Sequence, residues 1–431
     1  MKINKKQFYN TLFATILLLQ IFLSSFRTNI IIQLTGLIIF FIFEKFLVSK
    51  GFVKIIWPLI ILFLIGFLGF LIYRNAFFNA LKDLFHSIKP ILGITIGYLF
   101  YKKINDFKLF VKTIIICGFI SAIIHFSILL LTGNIFSGSV NTMREFNKDS
   151  FLELFALFFL IYYKKFQNEN LFVSGSNYRT IRLVLLASCI LYFSRTMIGA
   201  SIILFLSLNG YTQITTKTIK IIGGLIVFII VFYTVLFSIK IERNKPGIET
   251  LLFKIKIAPA EIFKTNIDRE NHKDLWDHWR GYEAKRAFEL MNENPSSYVF
   301  GCGHGSLVNL RFFAPLSGPN EKGMKYISEL HNGYPYVLYK TGTIGIILYL
   351  LFLVRLYLYT YKKRTFNNLL ISSIGFFFFF STLTITGIYN FSDIVIFILG
   401  GAIAFSEQQK QFPLIKLNKS TEEKINNNPI C

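Results

Sequence analysis

The chain has 431 residues, of which 53% are hydrophobic and 16% are charged, and its formal net charge is +23 at pH 7. This composition excludes a large soluble domain and is typical of a protein that crosses a membrane many times. The excess Lys and Arg residues lie in short connections between apolar runs. Membrane topology therefore explains the charge better than nucleic acid does, and no nucleic-acid partner is expected.

Apolar stretches that can each cross a bilayer, with about 20 residues apiece, follow one another along the chain. They lie near 8–26, 28–44, 52–73, 80–101, 108–132, 148–164, 217–240, 334–360, 367–385 and 388–406. The stretch 181–210 is either one long helix with Arg195 near its middle or two short helices folded back at 193–196. No A-x-A cleavage site follows the first run, so we interpret it as a retained span and not as a signal peptide.

The distribution of positive charge favours two short helices in 181–210. Connections rich in Lys and Arg then alternate with poor ones along the whole chain. Because positive residues stay in the cytoplasm, both termini are expected inside and the polar segment 241–330 outside. The expected fold is an all-α integral membrane protein of about 12 transmembrane helices, with one large extracytoplasmic loop capped by short helices.

Four parts follow from this topology. Residues 1–240 hold transmembrane helices 1–9, including the short hairpin 181–210, and residues 241–333 form an extracytoplasmic cap with the active-site residues. Residues 334–407 hold helices 10–12. Residues 408–431 form a polar cytoplasmic tail that is expected to be disordered.

The cap is where chemistry on a water-accessible substrate can take place. Its segment 241–330 holds twelve of the 23 Asp and Glu residues, and with His331 it holds four of the six His residues. Residues 247–263 predict an interfacial helix with an apolar face broken at Pro259. Residues 280–291 predict an amphipathic helix that ends at Asn294.

Three places combine polar residues with an expected outward position. The first is Ser194-Arg195-Thr196. The second is Arg280, which lies fifteen residues before Pro295 and ahead of the glycine-rich turn 301–305. The third is His331-Asn332, which is followed after nine residues by Gly342 and Gly345.

This order resembles the bacterial O-antigen ligase and O-antigen polymerase superfamily. Those proteins have about a dozen spans, one large extracytoplasmic loop late in the chain, and an HN-x9-G-x-x-G pattern where the loop ends. Arg195, Arg280 and His331 match the family's positions, and the resemblance covers the chain from about 150 to 390. The link 295–298 ahead of the glycine turn is longer than the compact form typical of the family.

The resemblance implies glycan transfer at the outer face of the bacterial cytoplasmic (inner) membrane. The donor would be an oligosaccharide on a polyprenyl diphosphate, and the product a polymer of O-antigen, capsule or exopolysaccharide repeat units. The alternative within the family is a ligase that transfers the glycan to lipid A-core of lipopolysaccharide or to another acceptor. Membrane lipids, a flippase and a chain-length regulator would be its partners.

The matched residues suit this chemistry by their own properties. Arg195 and Arg280 can bind the leaving diphosphate through paired, charge-assisted hydrogen bonds. His331, with an ordinary pKa of about 6.5, can accept the proton of the acceptor hydroxyl. Asn332 can orient the sugar or cap the next helix.

Each of these residues also has a simpler structural interpretation. His331 can begin the following helix, Arg195 can anchor its helix at the headgroups, and Arg280 can pair on the surface with Glu283 at i+3. Arg286 and Ser194 are secondary candidates, and Arg286 is interpreted as a solvated or phospholipid-facing residue.

Further expectations concern cofactors and rival functions. The turn 301–305 is either a nest of N–H groups for phosphate or a plain turn, and the second interpretation is favoured. No DxD motif and no CxxC pair is present, so no metal or other cofactor is expected. The rivals are a flippase for a lipid-linked sugar and a non-catalytic assembly partner. A flippase would place ionisable residues near the bilayer midplane, where the sequence has few.

Overall fold

The computed structural model describes residues 4–23, 25–133, 151–167, 171–172, 175–192, 194–242, 248–264, 266–268, 271–315, 323–390 and 392–409. Phe193 of the expected hairpin turn and the predicted polar tail from 410 onward lie outside these residues.

Helices make up the described chain before the cap. Their bounds are α1 Lys5–Phe22, α2 Phe26–Phe43, α3 Lys50–Tyr73, α4 Phe77–Ile104, α5 Phe107–Leu131, α6 Leu152–Gln167, α7 Gly175–Leu191, α8 Arg195–Leu208 and α9 Thr216–Ser238. Short polar side chains begin several of them by accepting a backbone N–H of the first turn, as Ser25, Ser49, Asp106 and Thr215 do. The apolar runs therefore become separate helices at the polar residues between them.

The stretch 181–210 forms two helices, α7 and α8, and not one long helix. The helical conformation is interrupted between Leu191 and Arg195. Arg195 is consequently the first residue of α8, where a long side chain can reach beyond the end of the helix. A single helix would have placed this guanidinium in the middle of an apolar surface.

The cap contains both helices and strands. Its elements are α10 Ile248–Phe263, α11 His272–Asp277, α12 Trp279–Glu293, α13 Ser297–Phe300, β1 Val308–Ala314 and β2 Met324–Ile327. The strands pair antiparallel, with Val308 opposite Ile327. Two short strands therefore accompany the expected short helices of the cap. Val308 and Leu310 are buried while Arg311 is exposed, and this alternation suits a strand with one covered face.

Pro259 does not break α10, contrary to the sequence-based expectation. Proline has no N–H, so the carbonyl of Ile255 four residues earlier loses its helical partner. The hydroxyl of Tyr233 in α9 donates to that carbonyl at 3.1 Å. A side chain of the neighbouring helix thus compensates the missing bond, which allows α10 to continue to Phe263.

Three helices and two short 3-10 turns follow the cap. Their bounds are α14 Gly333–Tyr357, a 3-10 turn Leu358–Tyr361, α15 Phe366–Thr384, a 3-10 turn Gly387–Tyr389, and α16 Val395–Gln409. Within α14, Gly342 has φ 68°, a conformation that side chains disfavour. A Cβ there would lie 2.2 Å from the Val299 carbonyl oxygen, so the glycine lets α13 approach α14.

Helix packing sets the core and leaves some helices at the periphery. α14 packs against α3, α13 and α15, while α8 packs against α15. Of the 18 most apolar consecutive residues in each helix, 78% are buried within the protein in α15 but only 6% in α9. An apolar helix with so little internal burial needs an apolar solvent, and a lipid bilayer supplies one.

Six described helices, namely α2, α3, α5, α9, α14 and α15, are long and apolar enough to cross a membrane. This supports a membrane protein with transmembrane helices. The count of twelve spans, the four-part organisation and the position of both termini in the cytoplasm stay predictions.

A buried ion pair ties α4, α14 and the turn 301–305 together. The Asp83 carboxylate accepts the Lys340 ammonium at 2.5 Å and the Gly305 N–H at 2.7 Å. Lys340 also donates to the Ser306 carbonyl at 2.6 Å. Both charged side chains are buried, so each depends on the other for compensation.

Replacing Lys340 with Met should lower the free energy of unfolding by about 3–5 kcal/mol, because the Asp83 charge would stay buried without its partner. Thermal and denaturant unfolding in detergent measures the effect. Adding Asp83→Asn should restore part of the loss, since the uncompensated charge is then gone. Lys82→Met is the matched control: its half-exposed pair with Glu329 should contribute about 0–1 kcal/mol. Equal losses of unfolding free energy in Lys340→Met and Lys82→Met would contradict the assignment of Lys340 and Asp83 as a buried ion pair.

Candidate functional site

His331 lies directly before α14, and one carboxylate holds both its backbone and its ring. Glu283 of α12 accepts the His331 backbone N–H through Oε2 at 3.0 Å, and its Oε1 lies 3.0 Å from Nδ1 of the ring. The Glu283 side chain is 1% exposed and that of His331 is 57% exposed. The carboxylate therefore supports the imidazole from beneath, and the ring stays accessible to a ligand.

This support decides which nitrogen of His331 can act as a base. With Nδ1–H donating to Glu283, the neutral ring carries its free electron pair on Nε2. Among the described residues Nε2 has no hydrogen-bond partner. The Glu283 carboxylate raises the pKa of His331 above its ordinary value, because the neighbouring negative charge favours the imidazolium, although partial desolvation of the ring and the charge of Arg280 oppose this. The pair is thus an oriented base that is stronger than an isolated histidine.

Arg195 reaches from the start of α8 to α10 and makes two contacts there. Its Nη2 lies 2.6 Å from Glu261 Oε2, and its Nη1 donates to the Lys254 carbonyl at 2.6 Å. The side chain is partly buried, so the guanidinium is held at the edge of the cap and not in bulk solvent. Arg195 thus faces the same part of the protein as the cap residues.

Arg280, near the start of α12, contacts the same carboxylate from another direction. Its Nη1 lies 2.9 Å from Glu261 Oε1, the oxygen that Arg195 leaves free. One carboxylate therefore bridges two guanidinium groups that are 85 positions apart in the chain. Two such groups around one anion form a site suited to a diphosphate.

Helix α12 joins the arginine pair to the histidine. Arg280 and Glu283 are three positions apart, and residues at that spacing are neighbours on a helix surface, with about 5–6 Å between their Cβ atoms. Arg280 is close enough to His331 to lower the pKa of its ring. The structure therefore brings together Arg195, Arg280 and His331: the two arginines share Glu261, and the helix that carries Arg280 also carries Glu283, which holds His331.

Residues 181–350 match the family model described as O-Antigen ligase. This segment is similar to an O-antigen ligase domain. The recognition of the O-antigen ligase and polymerase superfamily from sequence is confirmed over these residues, which include Arg195, Arg280 and His331. No curated protein and no solved structure matches the chain. The domain and the apolar helices point to a bacterial membrane protein, and at family level they support an enzyme of glycan transfer.

Two secondary candidates in the matched segment have local structural roles. Asn332 caps α14, since its side-chain oxygen accepts the Tyr334 N–H at 3.2 Å. Ser194 precedes α8, is buried, and lines an apolar groove between α6, α7 and α8. Neither residue contacts the Glu261 carboxylate, so the arginine pair is formed without them.

Arg286 is part of the cap interior. Its side chain is 3% exposed and ion-paired with Glu289, and its Nε donates to the Asn309 carbonyl at 2.9 Å. The interpretation of Arg286 as a solvated or phospholipid-facing residue is therefore wrong. Because β1 covers this face of α12, Arg286 joins the helix to the strand.

The glycine-rich turn uses its amides internally. Each of its five backbone N–H groups has a partner within the protein: Ser297 O, Tyr339 O, Lys340 O, Gly66 O and Asp83 Oδ2 in chain order from Gly301 to Gly305. Gly303 has φ 77°, and a Cβ there would lie 2.3 Å from the Gly69 backbone. The turn is thus a packed junction between α3, α4 and α14, and no amide is left for a phosphate.

Within the described ranges, no three His, Cys, Asp or Glu side chains come together as possible metal ligands. The charged groups in direct contact at the candidate site are the guanidinium groups of Arg195 and Arg280 with Glu261, and Glu283 with His331. That the reaction needs no metal stays a prediction.

Two carboxylates at the site were missed by sequence reasoning. Glu283 was visible three residues after Arg280 but was interpreted as its surface partner, whereas in the structure Glu283 holds His331 and Arg280 contacts Glu261. Glu261 carried a weaker signal, an acidic residue near the end of a helix whose other charged residues are Glu249, Lys254 and Lys256. An acidic residue in that position needs a cationic partner, and the two arginines supply it.

Proposed function

We propose that the protein transfers a polyprenyl-diphosphate-linked oligosaccharide to a glycan acceptor at the outer face of the cytoplasmic membrane, most directly by polymerising repeat units. The observation that carries this proposal is the pair of arginines around one carboxylate, adjacent to an oriented histidine. Cationic binding of a leaving group and proton removal from a nucleophile are the two tasks of glycosyl transfer from a diphosphate.

Arg195 and Arg280 would hold the donor diphosphate and stabilise it as the leaving group. During transfer the bond between the anomeric carbon and the phosphate oxygen breaks, and its electron pair goes to the diphosphate. Two partly buried guanidinium groups already in place stabilise this charge without reorganisation. Their hydrogen-bonding geometry suits phosphate oxygens as it suits the carboxylate they bind now.

His331 would activate the acceptor. The acceptor hydroxyl oxygen forms the new bond to the anomeric carbon, and its proton passes to Nε2. Glu283 keeps Nδ1 protonated and stabilises the imidazolium that results, as a carboxylate does behind a catalytic histidine. The products are the extended glycan, a polyprenyl diphosphate and a proton on His331 that is returned to water.

The prenyl chain of the donor would lie in the groove that Ser194 lines. The groove has a volume of about 510 Å³, and its wall is formed mainly by apolar side chains of α6, α7 and α8, with Leu251 from α10. Ser194 directly precedes Arg195, and Leu251 lies on the helix that carries Glu261. A lipid diphosphate with its headgroup at the arginines would therefore have an apolar surface beside it.

Transfer by the purified protein in vesicles tests the proposal. Given only lipid-linked repeat units, a polymerase yields chains of increasing length. A ligase is the second candidate because the matching family model is described as O-Antigen ligase, and it would form product only when a different acceptor is added. Movement of the donor across the bilayer without new glycosidic bonds would support a flippase, and donor binding without either reaction would support an assembly partner.

Replacing Glu283 with Gln tests the proposed base. The carboxylate raises the pKa of His331, and transfer needs the neutral ring, so the wild-type rate should rise with pH as His331 loses its proton. Glu283→Gln should move this rise to lower pH, because the imidazolium loses its stabilisation. The maximal rate should fall by about 10² because the ring is a weaker and less oriented base.

The pH profile of the transfer rate distinguishes this role from a structural one. Glu283→Gln with a lower rate but an unmoved rise would indicate that the carboxylate only supports the fold. Glu293→Gln is the matched control, since Glu293 is an exposed carboxylate on the same helix and should leave both rate and profile unchanged.

A further inference from the structure

The diphosphate site proposed above is occupied by a residue of the protein itself. Both Glu261 oxygens are engaged, one by Arg195 at 2.6 Å and the other by Arg280 at 2.9 Å. A diphosphate that binds both guanidinium groups through its oxygens needs the same hydrogen-bond donors. The donor and the Glu261 carboxylate therefore compete for one position.

The carboxylate has a clear electrostatic role when no donor is bound. Two guanidinium groups that converge on one point repel each other, and the repulsion is strong in a partly dehydrated site. A negative charge between them removes this repulsion and keeps both side chains in one arrangement. Arg195 and Arg280 come from α8 and α12, so their side chains would otherwise separate.

Helix α10 is attached in a way that allows Glu261 to withdraw. None of its side chains is fully buried, so it rests on the surface of the protein and not in the core. Polar contacts hold it: the Tyr233 hydroxyl at Ile255 and the Arg195 guanidinium at Lys254. Segments with few buried apolar contacts move at lower free energy than core elements.

We infer that Glu261 is a stand-in for the diphosphate, which holds Arg195 and Arg280 together in the empty enzyme and returns to them when the product leaves. The inference rests on the proposed function, and Glu261 is a positioning residue because it contacts the arginines and not the reacting atoms. The return of the Glu261 carboxylate to the arginines helps the product to leave. The released polyprenyl diphosphate has one more ionisable oxygen than the donor, so the arginines hold the product at least as strongly as the donor. A competing carboxylate then speeds release of the product.

The experiment is Glu261→Gln in the full chain, with inorganic pyrophosphate as the probe of the arginine site. The amide keeps the size of the side chain and removes its charge. Pyrophosphate should bind about tenfold more tightly, because it no longer displaces a partly exposed ion pair. In the transfer assay the KM for the donor should fall, kcat should fall because product release slows, and inhibition by polyprenyl diphosphate should strengthen. Calorimetric titration in detergent gives the affinity, and Glu293→Gln is again the matched control.

A second variant guards against a folding defect. Glu261→Asp keeps the charge but is too short by one methylene group to bridge both arginines, so its pyrophosphate affinity should lie between those of wild type and Glu261→Gln. Weaker or unchanged binding in Glu261→Gln, with Arg195→Ala still abolishing binding, would overturn the stand-in role alone. If Arg195→Ala and Arg280→Ala each bind pyrophosphate as tightly as the wild type does, the proposed function itself is overturned.

Discussion

Replacing His331 with Ala should lower the rate of glycan transfer by about 10² to 10⁴, the range for loss of a general base. The imidazole is the group that accepts the acceptor proton in the proposed reaction, and Glu283, its only described carboxylate contact within hydrogen-bond distance, cannot reach beyond the ring to replace it. Donor binding should be nearly unchanged, because the arginine pair is held by Glu261 and not by His331.

Two measurements check this expectation. In cells, long glycan chains should disappear while single lipid-linked units still reach the outer face, and in vesicles kcat should fall with little change in KM. His278→Ala provides the control, since His278 is a cap histidine that contacts Asp274 outside the site. Single units trapped on the inner face would support the flippase instead. Transfer at the wild-type rate by His331→Ala would exclude His331 as the base.

Removing either arginine should reduce transfer by about 10² to 10³, the usual effect of losing one preorganised donor to developing charge. Arg195→Ala and Arg280→Ala combined should lose less than the product of the two separate effects, because both side chains bind one diphosphate. Arg280→Lys should restore activity only in part, since an ammonium lacks the planar donor pair of a guanidinium.

The arginine variants should also weaken pyrophosphate binding, which separates loss of the site from loss of the base. Arg311→Ala is the matched control, because Arg311 is a cap arginine whose side chain is 56% exposed. Full transfer activity in Arg195→Ala would contradict the proposed diphosphate site. If Arg195→Ala loses activity but keeps its pyrophosphate affinity, Arg195 stabilises only the transition state and does not bind the donor diphosphate.

The helices were predictable from the sequence because their causes are local. Long apolar runs bounded by Ser, Thr, Asp or Asn define where a helix can begin and which segments require an apolar environment. The break before Arg195 was predictable from the distribution of positive charge, since only two short helices let Lys- and Arg-rich connections alternate with poor ones along the chain. Helix α12 and its end at Asn294 were likewise visible in the sequence.

The strands of the cap were missed because their pattern is short. Val308 and Leu310 alternate with polar residues over only a few positions, and Arg311 with φ 62° interrupts the regular pairing. The continuity of α10 through Pro259 was missed for another reason: it depends on the Tyr233 hydroxyl, which comes from a different helix. Local propensity carries no information about such a partner.

The apolar runs alone indicate a multi-span membrane protein, and the motif order resembles that of the O-antigen ligase and polymerase superfamily, whose model matches residues 181–350. The apolar runs are a property of the chain alone, whereas Arg195, Arg280 and His331 were singled out by the resemblance of their motif order to that of the superfamily. Which carboxylate accompanies which cation depends on how the helices pack. Glu283 could face Arg280 or His331 from the same helix, and the packing of α12 beside the start of α14 selects His331. Glu261 meets both arginines because α8, α10 and α12 come together in space, and no spacing along the sequence encodes that meeting.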